Sequence, residues 1–204
     1  MKSAAPGCLA AAKDKGWNWE EFYHNDHNGH TQCMDQAGAD QGGVCGYTEL
    51  PLGSKGVKKH LDHYRKKAIY PKLTFDWNNL VCAVKDRRFG ADYKDDLIDG
   101  NNAEATYACI LNPVADEAQD YFYCDTDGKM IAGGGLDETN GRKAVETIRV
   151  FNLNETELVS RRRTLITQLR ACADLAEEDI RACFAAMGFP SVLEQELRMS
   201  RVEV

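Results

Sequence analysis

HLDHYRKKAIYPKLTFDWNNL, residues 60–80, decides how this chain is read. It sets His60 and His63 around Asp62, then runs through a basic stretch to an asparagine pair. Between Lys55 and Lys72, seven basic residues (Lys55, Lys58, Lys59, Arg65, Lys66, Lys67, Lys72) meet one acid, Asp62, a local balance of +6. The whole chain carries −7, so the remainder sums to −13. That distribution excludes a protein that coats nucleic acid over its whole surface, and it leaves a local phosphate contact or a solvated Lys-rich loop.

The 204 residues suffice for one compact domain or a domain with an appendage. A 43% hydrophobic and 28% charged composition is that of a globular protein, not a disordered one. No apolar run approaches the ~20 residues of a membrane helix, and the first residues are too weakly apolar for a signal peptide. A cytoplasmic protein with no membrane association is expected. The cysteines at 8, 33, 45, 82, 109, 124, 172 and 183 form no CxxC pair, which predicts reduced, mostly buried thiols.

Three parts are expected, packed as one domain of the α+β class: a helical segment at 1–40, a core at 41–100, and a hairpin with helices at 101–204. Trp17, Trp19, Phe22 and Tyr23 offer a packing face in the first part. His24, His27 and His30 follow at i, i+3 and i+6, a spacing that could hold a metal with Cys33 nearby. Gly29 and the Asn/Asp neighbours predict a polar frayed end or loop instead. VCGYTEL (44–50) and VKKHLDHY (57–64) read as a strand pair. NNLVCAVKDRRF (78–89) reads as a helix packed on them through Leu80, Val81, Val84 and Phe89, completing a ββα unit. ATYACILNPV (105–114) suits a buried strand, and DYFYCDTDGKMIAG (120–133) a hairpin turning at Asp127-Gly128. AVETIRVFNL (144–153) suits a helix. Asn154 and Glu157 resemble a capping box opening a further helix, with Leu158, Leu165, Leu169 and Cys172 on one face. AEEDIRACFAAMGF (176–189) predicts another helix, ended by Gly188 and Pro190.

Hydrolysing a phosphodiester needs an activated water, neutralised phosphate charge and a stabilised leaving oxygen. The 60–88 segment supplies residue types for each. His63 is a candidate base. Asp62 and Asp86 are candidate ligands for a divalent cation, and His60, two residues before Asp62, is a third ligand or a brace. Arg65, Lys66, Lys67, Arg87 and Arg88 could hold flanking phosphates. One condition attaches: strand neighbours point to opposite faces, so Asp62 and His63 serve one site only if the strand ends or bends there. Glu49 could reach the site or pair with the basic island. Arg161, Arg162 and Arg163 read as a solvated helix face, with a nucleic-acid or partner contact as the alternative.

Asp62-His63, Asn79 sixteen residues later and a polar residue on the next helix resemble the HNH (ββα-metal) endonuclease superfamily. The likeness extends to DQGGVCGYTELPL, ILNPVADEAQDYFYCDTDGKMI and AVETIRVFNLNETELVSRRR, which look like the PtuB branch found with Septu and retron anti-phage systems. It covers about residues 40–165. The resemblance implies an HNH core with a hairpin, embedded in N- and C-terminal helices. It implies a metal-dependent nuclease of unresolved substrate, DNA or RNA, with His63 as base, Asn79 bracing the loop, and Asp62 binding Mg²⁺ or a similar ion together with a helix residue at 86, 88 or 92, of which Asp86 fits the chemistry best because arginine cannot bind a cation. The implied partners are a nucleic acid, a PtuA-like ABC-type ATPase and, in retron versions, a reverse transcriptase with its msDNA. Relatives often carry a structural zinc site on two cysteine pairs. Here only Cys45 and Cys82 remain, so structural zinc is not expected, and Tyr47, Phe75, Trp77 and Leu80 are expected to pack in its place. The alternative is a catalytically silent scaffold or nucleic-acid-binding module derived from the same fold.

Overall fold

The computed structural model describes residues 2–172 and 174–200. Its centre is an antiparallel hairpin of β1 (Lys59–His63) and β2 (Leu80–Val84), with Leu61 opposite Cys82 and His63 opposite Leu80. The expected partners differ from these. Residues 44–51 form a turn closed by a Val44–Pro51 bridge, and the segment read as a helix is β2. The difference has a physical origin: all five β2 residues are buried, so the strand shows a continuous apolar run instead of alternation. The helix that follows is α4 (Gly90–Leu97), later than expected.

Both faces of the hairpin are covered. Three helices, α1 (Gly7–Asp14), α2 (Trp19–Asn25) and α3 (His27–Asp40), lie on one side, where Trp19 meets His63 and Gly38 lies against Cys82. A reciprocal Asn18–Glu21 capping box starts α2. The Asp26 carboxylate accepts the Gly29 N–H at the start of α3. The frayed end or loop expected at residues 24–30 is instead the last turn of α2 and the first of α3, parted at Asp26. On the other side of the hairpin lie α4 and the 44–51 turn, which bring Lys94 and Tyr47 to Asp62 and Gly46 to Val81.

Residues 105–114, expected as a strand, contribute to α5 (Ala103–Ala108). The second hairpin forms as expected from β3 (Phe122–Cys124) and β4 (Met130–Ala132). Gly128 in its turn has φ +86°, and a Cβ there would lie 2.3 Å from the Val159 carbonyl oxygen, so no larger residue fits. Four α-helices complete the described residues: α6 (Glu138–Val150), α7 (Thr156–Ala171), α8 (Glu177–Phe184) and α9 (Pro190–Ser200). Gly188, at φ +77°, ends the helical stretch that α8 begins, as expected, and Pro190 opens α9, a first-turn position that proline favours. One contiguous hydrophobic core runs from Leu9 to Leu197, through all three expected parts.

Two-stranded sheets leave free edges, and side-chain amides satisfy them here. Gln41 accepts from the Cys82 N–H and donates to the Cys82 carbonyl, at 2.9 and 2.7 Å. Gln195 does the same at Cys124, both at 2.8 Å. Asn154 does so at Met130, at 2.8 and 2.9 Å, and so does not cap α7; Glu155 accepts the Glu157 N–H there instead.

Arg162 is 2% exposed, between Leu158 and Leu165 on the inner face of α7. Its guanidinium donates to the carbonyls of Gly128 and Leu153, at 2.8 and 2.6 Å. The solvated face therefore belongs to Arg161 and Arg163 alone, which pair with Glu157 and the Asp127 loop. Arg162→Met is expected to lower unfolding free energy by roughly 3 kcal/mol, because two buried carbonyls lose a charged donor. Arg161→Met and Arg163→Met should each change it by less than about 1 kcal/mol. Urea denaturation of the three variants measures the contrast.

Candidate functional site

The strand does not bend at Asp62-His63. The ladder continues past His63 through the Tyr64 N–H to the Asn79 carbonyl at 2.8 Å, so alternation holds and the two side chains enter opposite faces. Asp62 turns toward α4. Its Oδ2 accepts from the Tyr47 hydroxyl at 2.6 Å and from Lys94 Nζ at 2.9 Å. His63 turns toward the N-terminal helices, where its ring meets Trp19 edge-on at 4.5 Å.

Lys94 is fully buried, on the face of α4 it shares with Ala91 and Ile98. Its three N–H bonds go to Asp62 Oδ2, the His63 carbonyl (2.9 Å) and the Tyr64 carbonyl (3.0 Å). Asp95 Oδ1 lies 3.1 Å from the same nitrogen, but no N–H remains for it, and it makes no hydrogen bond. Burial alone would lower the Lys94 pKa; the charges of Asp62 and Asp95 overcome it and hold the ammonium above its ordinary value. Burial, with Asp62 beside it, raises the Tyr47 phenol. Here a lysine ammonium binds three oxygens at the strand exit.

His63 is 6% exposed. Its Nε2 lies 3.0 Å from the Thr74 carbonyl oxygen, which can only accept, so Nε2 carries the proton of the neutral ring. Burial pulls its pKa down to about 4. A Lys67–Glu20 ion pair at 2.9 Å ties the basic island to α2 close by. Asn79 is buried and braces the loop between the strands: Oδ1 accepts the Arg65 N–H at 2.7 Å, and Nδ2 donates to the Arg65 and Leu73 carbonyls.

Of the other expected metal ligands, His60 stays beside Asp62 and Asp86 does not. His60 shares the Asp62 face, its Nε2 4.0 Å from Asp62 Oδ1. Asp86 is not on a helix. Val81 stands opposite Asp62, and Lys85, whose N–H still donates to Lys58, is four strand steps away, about 13 Å. Asp86 lies one residue beyond and is gripped by Arg88, which also holds its pKa below the usual range. It cannot share an ion with Asp62. Among the described residues no group of three or more His, Cys, Asp or Glu side chains is disposed to hold a metal. His24, His27 and His30 instead place their rings around Tyr23, at 5.0–5.3 Å.

Part of the basic island is neutralised by acids from elsewhere in the chain, Lys59 by Asp35 and Lys67 by Glu20. Arg65 lies over the rings of Tyr70 and Tyr107 and within 3.7 Å of Glu104. Lys66 donates to the Asp95 and Ile98 carbonyls at the end of α4. Arg88 meets Asp86, Glu155 and Glu157. Of the five expected phosphate contacts, only Arg87 is exposed without an ion pair among the described residues. Glu49 binds Ser191 on α9, not the island. Cys45 and Cys82 are buried; the Cys45 sulfur accepts the Val84 N–H, and burial raises the Cys82 thiol to about 11. Tyr47 stacks on Phe151 at 4.7 Å, and Trp77 and Leu80 are buried.

Lys94, Tyr47, Trp19 and Thr74 were not expected at this site. Lys94 had a signal: it occupies the core-facing position of α4, three residues after Ala91 and four before Ile98. No protein-family model matches the chain, and no curated protein matches it. No helix among the described residues is long and apolar enough to cross a membrane.

Two measurements probe this centre. Lys94→Met leaves the Asp62 carboxylate buried without its cation, and should cost roughly 3–5 kcal/mol of stability, whereas the double variant Lys94→Met/Asp62→Leu should recover a large part. For His63, the folded pKa of about 4 lies below the ordinary 6.5, so the unfolded chain binds the proton first. Its contribution is complete above pH 6.5 and is lost as pH falls toward 4, by about 3 kcal/mol. Denaturation at pH 7, 5.5 and 4 should show that loss in the native chain relative to His63→Leu.

Proposed function

We propose that this chain is a catalytically silent derivative of the HNH (ββα-metal) class, serving as a scaffold or nucleic-acid-binding module. The strand order β1–β2 followed by α4, the Asp-His dipeptide at the end of β1 and the Asn79 loop brace support descent from that class. One observation carries the loss of turnover: the Lys94 ammonium occupies the Asp62 carboxylate where an HNH enzyme would need a divalent cation. A cation there would have to displace a buried charge already bound to three oxygens and meet Lys94 as a like charge. His63 points to the other face, and with a pKa near 4 it is a weak base for water. By its resemblance to the PtuB branch, the module would work in an anti-phage assembly with a PtuA-like ATPase and, in retron versions, a reverse transcriptase with msDNA.

A second reading, the metal-dependent endonuclease itself, is favoured by the hydrogen bond from His63 Nε2 to the Thr74 carbonyl, because it leaves Nδ1 as a proton acceptor. That reading requires Trp19 to leave the imidazole and Lys94 to leave Asp62, with Mg²⁺ or another divalent cation entering.

The two readings part in one assay. The purified chain, alone and with its ATPase partner, is incubated with single- and double-stranded DNA and total RNA, in Mg²⁺ or Mn²⁺ and in EDTA. The silent reading expects cleavage no faster than that of His63→Ala in every lane. Cleavage that EDTA stops and His63→Ala abolishes would establish the enzyme.

A further inference from the structure

An open cleft of about 770 Å³ lies between α1 with its following turn and the 71–78 loop, within the size range of small-molecule sites. Its walls carry Trp17, Phe75 and Trp77, and its rim carries Lys13 and Lys72. Both lysines are exposed and without an ion pair among the described residues, unlike Lys59, Arg65 and Lys67 of the basic island. Asp76 is the one acid lining it among the described residues, and its side chain accepts the Asn78 N–H.

The three aromatics differ in availability. Trp77 is buried, its indole N–H bound to the Ser3 carbonyl and its ring under the Lys2 ammonium at 3.8 Å. Phe75 is half-buried, with Trp19 and Phe22 behind it at 5.8 and 5.9 Å. Trp17 is half-buried and has no aromatic partner among the described residues; only the Lys15 ammonium, 4.2 Å from its ring centre, lies over it. A flexible lysine chain gives up such a position readily.

We infer that this cleft binds single-stranded nucleic acid, with one base stacked on Trp17 and the flanking phosphates held by Lys13 and Lys72. A base has a π face for the indole, and its backbone has the charge that the two lysines lack a partner for. A duplex keeps its bases stacked on one another and cannot offer one to the indole. The inference deepens the reading above, because it names the surface and the strand type that a binding module would use.

The test is binding of a labelled twelve-residue oligothymidylate, the matching oligouridylate and a duplex of equal length, by fluorescence anisotropy with the full chain in EDTA. Cleavage plays no part under those conditions, so an active enzyme would refute the silent reading without touching this result. Tighter binding of the single strands than of the duplex, weakened about tenfold by Trp17→Ala, is expected. The Lys13→Glu/Lys72→Glu double variant, on exposed positions that folding does not depend on, should weaken binding too. It should also flatten the salt dependence of log K by about 1.4. Equal affinity for duplex, absence of binding, or lysine variants that bind as the native chain does would each overturn the inference.

Discussion

The buried Lys94 ammonium organises the middle of this protein. A desolvated charge is tolerated only when its donors are spent, and each of these three N–H bonds ends on an oxygen. Two of those oxygens are main-chain carbonyls at the exit of β1, and the third is the Asp62 carboxylate. The helix is thus tied to the strand by backbone and side chain together. Tyr47, donating to the same carboxylate, brings the 44–51 turn into the same knot. Three segments distant in sequence meet through one nitrogen and one carboxylate.

Strand alternation then decides what the Asp-His pair can do. Adjacent residues on a regular strand cannot share a face, and the ladder stays regular through Tyr64. Asp62 is consumed by the α4 side, and His63 by the N-terminal helices. Each cover satisfies its own half: an ammonium and a phenol for the carboxylate, a carbonyl and an indole edge for the imidazole. A two-group catalytic centre would need both halves to open onto one space.

Alternation was legible in the sequence as a condition, and so was the second hairpin, whose Asp127-Gly128 turn is written in residues that only a turn requires. The asparagine brace was also legible, through its place in a recognisable pattern. The boundaries of the central unit were not. With both faces of β2 covered, Leu80-Val81-Cys82-Ala83-Val84 loses the period-two signal that marks a strand, and its apolar run fits a helix as well. The bridge at Val44 and Pro51 looked like a strand start for the same reason, that short apolar runs carry no direction of pairing. Lys94 was visible only as a charge at a core position of its helix, which acquires meaning once the carboxylate it faces is known.

Charge is where sequence and structure diverge most, and the reason is distance along the chain. A count of +6 over eighteen residues treats neighbours as the environment, yet the partners of these cations come from elsewhere. Glu20 reaches Lys67 from the N-terminal helices, Asp35 reaches Lys59 from α3, and Glu104 reaches Arg65 from α5; beyond that stretch, Glu155 and Glu157 reach Arg88 from the start of α7. Each such pair is individually weak at a surface, but each removes a cation from the field that a phosphate would feel. What a polyanion meets is therefore what this pairing leaves: among the described residues, several unpartnered lysines with Arg87 and Arg198 on an acidic body. Where Lys13 and Lys72 frame an aromatic wall, attraction and stacking act at the same place, which gives a protein of net negative charge a local hold on a short single strand.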